Sequence, residues 1–503
     1  MAHSHEEELA RELTRRGMSR REVLKFGLRL GLGATSMGAL LAACGGTTPP
    51  AAAPAGTAPT AAAPAPAADA PTAAPPATSL YDASEGSDAA WPKSSVADPT
   101  AAVELSVAHA WDATFFERQK QFDALFTKRH SNITIKAENT PWGQFRQKYL
   151  AQAAGGALPD LFYVHFSWAQ DLAKNNTMIA LDDYIAKEKD FQLDDFIKSS
   201  LPSYQRDGKL WVVPYDEGPG ILYYNKDIFD KGGVKYPDDS WTLDDLKAAA
   251  IKLTSGDGAN KVFGFNGTPS PGDSLLAPPY LFPFGAQYLS EPKEDQYLLN
   301  KPEAVAAMEW WMELRSKDKA VPSPAESQAF QQANINAFQV GRVAMMIDGS
   351  WATPGISQNA KFKWDVAKWP KGPKKQATFS AGSGYAIAST SKSADAAWIY
   401  LNEYLSTAGQ SYMWGVTGRG SPARNSAWPS YLGSKFAPAN AKIIQESLNT
   451  FASHDILDQP TAPRVSQAAT PIWDLVVAGQ LAVKDAIDQI GQAVEPIIAE
   501  NRG

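Results

Sequence analysis

The chain has 503 residues, of which 44% are hydrophobic and 20% charged, with a net charge of −7 and one cysteine. The length is too great for one core and predicts two or more domains, while mild acidity argues against nucleic acid as a main partner, because phosphate binding needs clustered positive charge. A single cysteine excludes an intramolecular disulfide and a cysteine-based zinc cage, and the six histidines are scattered without metal-ligand spacing.

The first hundred residues do not read as fold. Ser19-Arg20-Arg21-Glu22-Val23-Leu24-Lys25 precedes a mostly apolar run over 26–43, broken by glycines and by Arg29. Paired arginines, a modest apolar run and terminal small residues are the layout of an export signal, and the run is too short and too polar for a convincing membrane span. It ends in Leu40-Leu41-Ala42-Ala43-Cys44-Gly45-Gly46, which holds the sole cysteine. Residues 47–79 are almost wholly Thr, Pro and Ala. Such a segment cannot bury enough surface to fold, and its prolines extend it at about 3.1 Å per residue, so it reads as a stalk reaching roughly 100 Å. Residues 80–100 continue as a polar lead-in.

From residue 101 strands and helices alternate. Residues 103–109 alternate apolar and polar, as a half-buried strand does. A helix is predicted over 114–129, with Phe115, Phe122, Leu125 and Phe126 on one face. A strand over 133–137 and a helix over 143–154 follow. Leu161-Phe162-Tyr163-Val164 is a continuous apolar run typical of a buried parallel strand. Further strands are predicted over 220–224, 343–347 and 385–388. Thr242 with Asp245 predicts a capping box opening a helix to about residue 253. Helices are also predicted over 302–317, 325–340 and 394–406. A last helical region over 472–495 is interrupted near Gly479 and stopped by Pro496. This alternation implies α/β architecture.

Several motifs carry a resemblance. Ser19 to Lys25 resembles the twin-arginine signal, and Leu41-Ala42-Ala43-Cys44 resembles the bacterial lipobox. The second resemblance implies lipid on the Cys44 sulfur and cleavage before it. In order along the chain come Gly155-Gly156-Ala157-Leu158-Pro159-Asp160-Leu161-Phe162, Gly208-Lys209-Leu210-Trp211-Val212-Val213-Pro214, and Leu222-Tyr223-Tyr224-Asn225-Lys226-Asp227. Val343-Ala344-Met345-Met346-Ile347-Asp348-Gly349-Ser350-Trp351 and Ser383-Gly384-Tyr385-Ala386-Ile387-Ala388 complete the set. Together they resemble the solute-binding proteins of ABC importers, in particular the sugar-binding family that includes maltose-binding protein. The resemblance implies a two-lobed, periplasmic-binding-protein-like α/β fold with ligand in the cleft and hinge closure. It implies crossings near Val213-Pro214 and residues 364–370. Lobe one is then 101–213 plus 365–420, and lobe two 214–364 plus 421–503, after a removed signal at 1–43 and a lipidated stalk at 44–100.

In open α/β sheets ligands sit beyond the carboxyl ends of strands. That rule selects Trp111 and Asp112, His165 and Trp168, Tyr215, Asp216 and Glu217, Trp351, Gly382 and Ser383, and Trp414 with Arg419 in a glycine-rich loop. Sugars need flat rings for their C–H faces and fixed polar partners for their hydroxyls, and loops pairing Trp with Asp, Glu or Arg supply both. Trp310, Trp311, Trp398 and Trp473 fall in predicted helices and read as packing. The acid pairs Asp182-Asp183, Asp194-Asp195 and Asp244-Asp245 read as helix starts. No nucleophile elbow or phosphate loop is present.

The expected protein is thus a monomeric, lipid-anchored, extracytoplasmic receptor. It takes a mono- or oligosaccharide, passes it to the permease of an ABC importer, and needs no cofactor or metal. One alternative keeps the fold and binds a phosphorylated polyol through Arg419 and Arg424. The other is a glycoside hydrolase using Asp112 with Asp216 or Glu217, which would need two carboxylates set across a scissile bond.

Overall fold

The structure, a computed structural model, describes residues 82–87, 90–273, 275–333, 335–454 and 459–502. The export signal, Cys44 and the Thr/Pro/Ala stalk lie outside the described residues.

Twelve strands are described. They are β1 (Val103–His109), β2 (Ile133–Asn139), β3 (Leu161–His165), the hairpin β4 (Gln205–Arg206) and β5 (Lys209–Leu210), β6 (Val213–Pro219), β7 (Ile221–Asn225), β8 (Phe263–Asn266), β9 (Val343–Asp348), β10 (Trp364–Ala367), β11 (Thr378–Ile387) and β12 (Ala452–Ser453). The larger sheet runs β2-β1-β3-β11, with β6 also on β11 and β12 on the early residues of β11. The smaller sheet runs β10-β7-β9-β8. β1 is parallel to β2 and β3, so their carboxyl ends share one edge, and β11 returns antiparallel between β3 and β6.

Local chemistry explains these elements. The apolar run of β3 is buried from Leu161 to Val164. The helix Ala113–Arg129 is capped by the Asp112 carboxylate, which accepts from Phe115 N, and it buries Phe115, Phe122 and Phe126. The Thr242/Asp245 capping box forms. Trp311, Trp398 and Trp473 are core residues.

Four expectations are corrected. The second crossing is not at 364–370. β10 pairs antiparallel with β7, and Trp369 and Ala377 sit in the smaller lobe's core, so the chain crosses on β11 instead. The helix expected over 325–340 closes at Gln332. The tail helix starts at Ala462 and carries Pro471 inside it, and Pro496 lies within the final helix Val483–Ile498 rather than ending it. Buried Val465, Ala469, Trp473 and Val476 hold the first of these against the lost backbone bond.

The fourth correction concerns the lead-in, whose described residues 82–87 and 90–100 are part of the fold. Arg118 is fully buried and donates to the carbonyls of Asp82, Glu85 and Tyr412, with its guanidinium 3.4 Å from the Tyr412 ring centroid. Trp91 packs edge-on to Phe122 and Tyr412 and under Arg129. The Glu188 carboxylate receives the Ser95 amide and hydroxyl. The described part of the segment is therefore strapped to the larger lobe.

Candidate functional site

The crossing strands place the site. β6 and β11 leave the larger sheet beside the carboxyl end of β3, where His165 pairs with Ser383 and Ser383 with Asp216. Side chains alternate across a strand, and that alternation divides Tyr215-Asp216-Glu217. Asp216 is partly exposed, accepts from Ser383 N at 2.9 Å, and is pushed up to about 7 by burial, against Arg419 and the Ser383 amide. Glu217 is fully buried on the other side, where His454 Nε2 lies 2.8 Å from Oε1 and Ser380 also donates. Tyr215 is buried and stacked on Trp414 at 4.5 Å.

Six sequence-selected residues keep some exposed surface: Asp112, His165, Trp168, Asp216, Trp351 and Arg419. Arg419 donates to Asp112 at 3.1 Å and covers the Trp111 ring at 5.0 Å. Trp168 lies near-parallel to Phe145 and to Trp142. His165 meets Trp142 edge-on at 6.0 Å and is pushed down to about 3, chiefly by burial, so its imidazole is neutral. Trp351 stands on the smaller lobe, parallel to Phe379 at 5.9 Å and against Gly218.

The other six are corrected, because they have almost no surface to give a ligand. Trp111, Tyr215 and Trp414 form one aromatic core with Phe115 and Tyr163. Glu217 is enclosed. Ser383 is 6% exposed, and its hydroxyl is spent on Tyr163. Gly382 serves the close approach of two strands, since a Cβ there would come within 2.4 Å of the Asp216 carbonyl and the Glu217 carboxylate. They support the site from behind.

Two residues were missed. Trp142 follows β2 and is 55% exposed. Asp348 ends β9 and is pushed up to about 6 by burial, against the Gly349 amide and Trp351. The strand-end rule applied to β2 and β9 would have found both.

Between the lobes lies a cavity of ≈ 870 Å³, lined by Gln170, Pro202 and Gln205 of the larger lobe and Phe282, Gln287 and Phe451 among those of the smaller. His454 also lines it. The Phe166 ring lies between His165 at 4.4 Å and His454 at 4.7 Å. Among the described residues no cluster of three or more His, Cys, Asp or Glu could hold a metal.

Two lobes, two crossing strands and a cavity between the lobes form a receptacle. The family profile described as bacterial extracellular solute-binding protein matches residues 109–411. The chain belongs to that family. This solute-binding protein is 28% identical over 304 residues to a binding protein of Brucella abortus (strain 2308), covering 60% of this chain and 71% of that one. It is 26% identical over 203 residues to the arabinooligosaccharide-binding protein of Bacillus subtilis (strain 168), covering 40% and 44%. Its fold matches an ABC substrate-binding protein from Listeria monocytogenes in complex with cycloalternan at a TM-score of 0.71 and 24% identity, covering 78% of this chain and 98% of that one.

Proposed function

We propose that this solute-binding protein captures a neutral carbohydrate between its lobes and delivers it to an ABC importer, held to the membrane by lipid on Cys44. The observation that supports the sugar reading is the pair of Trp142 and Trp168 rings, 6.1 Å apart, beside His165, with Trp351 after β9, Asp216 within the crossing strand β6 and Asp348 at the end of β9. Flat rings take sugar C–H faces, and carboxylates take hydroxyl protons in charge-assisted bonds. Relatives and fold neighbours named for arabinooligosaccharide and cycloalternan point the same way.

The cations of the phosphate alternative are already engaged. Arg419 is paired with Asp112, and Arg424 is buried against Asp195 and the carbonyls of Leu405 and Phe191. The hydrolase reading loses Glu217, which is enclosed and bonded to His454. A thermal-shift screen of the full chain against sugars, sugar alcohols and their phosphates tests the proposal. Neutral sugar raises the melting point and is recovered intact. Product release over time would refute a receptor role, and stabilisation by phosphorylated ligands alone would refute the neutral-sugar reading.

A further inference from the structure

A second cavity, of ≈ 650 Å³, lies on the larger lobe and shares no lining residue with the one between the lobes. One wall is the lead-in over 90–95, another the turn over 187–192, and a third the end of the helix Ala394–Tyr404 with the residues after it. Neither crossing strand reaches it, and none of the twelve residues selected from the sequence lines it. Asn402 is its informative side chain. This residue is 5% exposed and lines the cavity, yet its amide makes no hydrogen bond among the described residues. A buried amide is normally paired, because an unpaired one forfeits its bonds to water. Facing a cavity, it keeps two N–H donors and a carbonyl for a guest.

The charged lining sorts into committed and uncommitted groups. Arg424 is spent on Asp195 and on the carbonyls of Leu405 and Phe191. Glu188 accepts from Ser94, from the Ser95 amide and hydroxyl, and from Trp398 Nε1 at 2.9 Å. Lys93, Lys187 and Lys189 also line the cavity, and among the described residues none of them is ion-paired. Against these three ammonium groups stands one uncommitted carboxylate, Asp190. In a chain whose net charge is −7 this is a local excess of positive charge, and it favours a guest carrying more than one negative charge.

We propose that this cavity is a separate binding site for a small multivalent anion of phosphate or carboxylate type, held by Lys93, Lys187 and Lys189 with the Asn402 amide as a further donor. Ammonium-to-oxyanion bonds are charge-assisted and stronger than neutral ones. An anion seated there joins Lys93 of the lead-in to Lys187 and Lys189 of the lobe, and so fastens the segment that continues from the stalk. The proposal is independent of the carbohydrate reading, because it uses none of the residues between the lobes.

The same chemistry is offered by a free solute and by an anionic lipid headgroup. Calorimetric titration of the full chain with pyrophosphate and with citrate, at constant ionic strength, probes the first. Co-sedimentation of the Cys44→Ala chain with phosphatidylglycerol vesicles probes the second. Saturable binding to at least one probe is expected, and the triple variant Lys93→Ala/Lys187→Ala/Lys189→Ala weakens it by about tenfold or more. Asn402→Ala breaks no hydrogen bond among the described residues. It is therefore expected to leave the melting temperature of the free chain unchanged while weakening the anion by about threefold or more. Both variants take neutral sugar as the wild type does, which separates this site from the one between the lobes. Binding to none of the three probes overturns the proposal, and so does wild-type affinity in the folded triple variant. Should the triple variant not fold, wild-type anion affinity in Asn402→Ala overturns it and a weakened affinity supports it.

Discussion

Asp216 shows what one side chain contributes and costs. Its folded pKa, pushed up to about 7 chiefly by burial, lies above the value of about 3.9 for a free aspartate. Between those values the folded state holds more protons than the unfolded state, so stability falls as pH rises through that window and the penalty is absent below it. Binding runs the opposite way, because the ionised carboxylate is the stronger acceptor for sugar hydroxyls. Asp216→Asn, which keeps an acceptor for Ser383 N, is therefore expected to raise the melting temperature at pH 8 more than at pH 5. Wild-type sugar affinity is expected to rise by up to about tenfold from pH 6 to pH 8, with the variant flat across that range. Calorimetry in matched buffers checks both trends. A pH-independent wild type would remove Asp216 from ligand binding. The sequence pointed to the residue as one following the crossing at Val213-Pro214, whereas it lies inside the crossing strand β6. Its separation from Tyr215 and Glu217 was not legible, because a strand's two faces become core or groove only once neighbouring strands are placed.

The strap is an effect of an element. Composition makes residues 80–100 look like the end of a stalk, polar and without periodicity. Asp82 and Glu85 among them are nonetheless tied down from a distance: the cation that holds them, Arg118, lies in the helix Ala113–Arg129, and the third carbonyl it binds belongs to Tyr412. Sequence patterns report local periodicity, and this contact joins segments 33 to 36 and 294 residues apart. Arg118→Ala leaves buried carbonyls without their donor, and at about 1–3 kcal/mol for each unsatisfied group a loss of at least about 2 kcal/mol is expected. Urea unfolding of the full chain measures it. Unchanged stability would mean that the strap contributes no net energy. The β10 strand behaves similarly. Trp364 to Ala367 was expected to cross between the lobes, and its pairing with β7 makes it a sheet edge instead.

At the scale of the whole molecule, the crossing strands join two sheets with separate cores. Motion about β6 and β11 would open or close the groove, and His454 bonded to Glu217 sits at that junction. Lipid on Cys44 would keep such a receptor near its permease. One acyl chain holds a protein only marginally, and two hold it firmly. Cys44→Ala is expected to shift the protein from the membrane fraction to the soluble fraction of the producing cells while leaving sugar binding of the purified protein unchanged. Wild-type partitioning of the variant would refute lipid anchoring.

The sequence by itself determined the alternation of strands and helices, the five ordered motifs of the family, and the Thr242/Asp245 capping box. All of these are local in sequence, set by periodicity, capping and turn chemistry. Tertiary structure decided which strand crosses between lobes, which half of the selected residues keeps exposed surface, that Trp142 meets Trp168, and that a polar cavity lies between the lobes. Each of these depends on segments far apart in the chain meeting at a particular register and face, which no local pattern encodes.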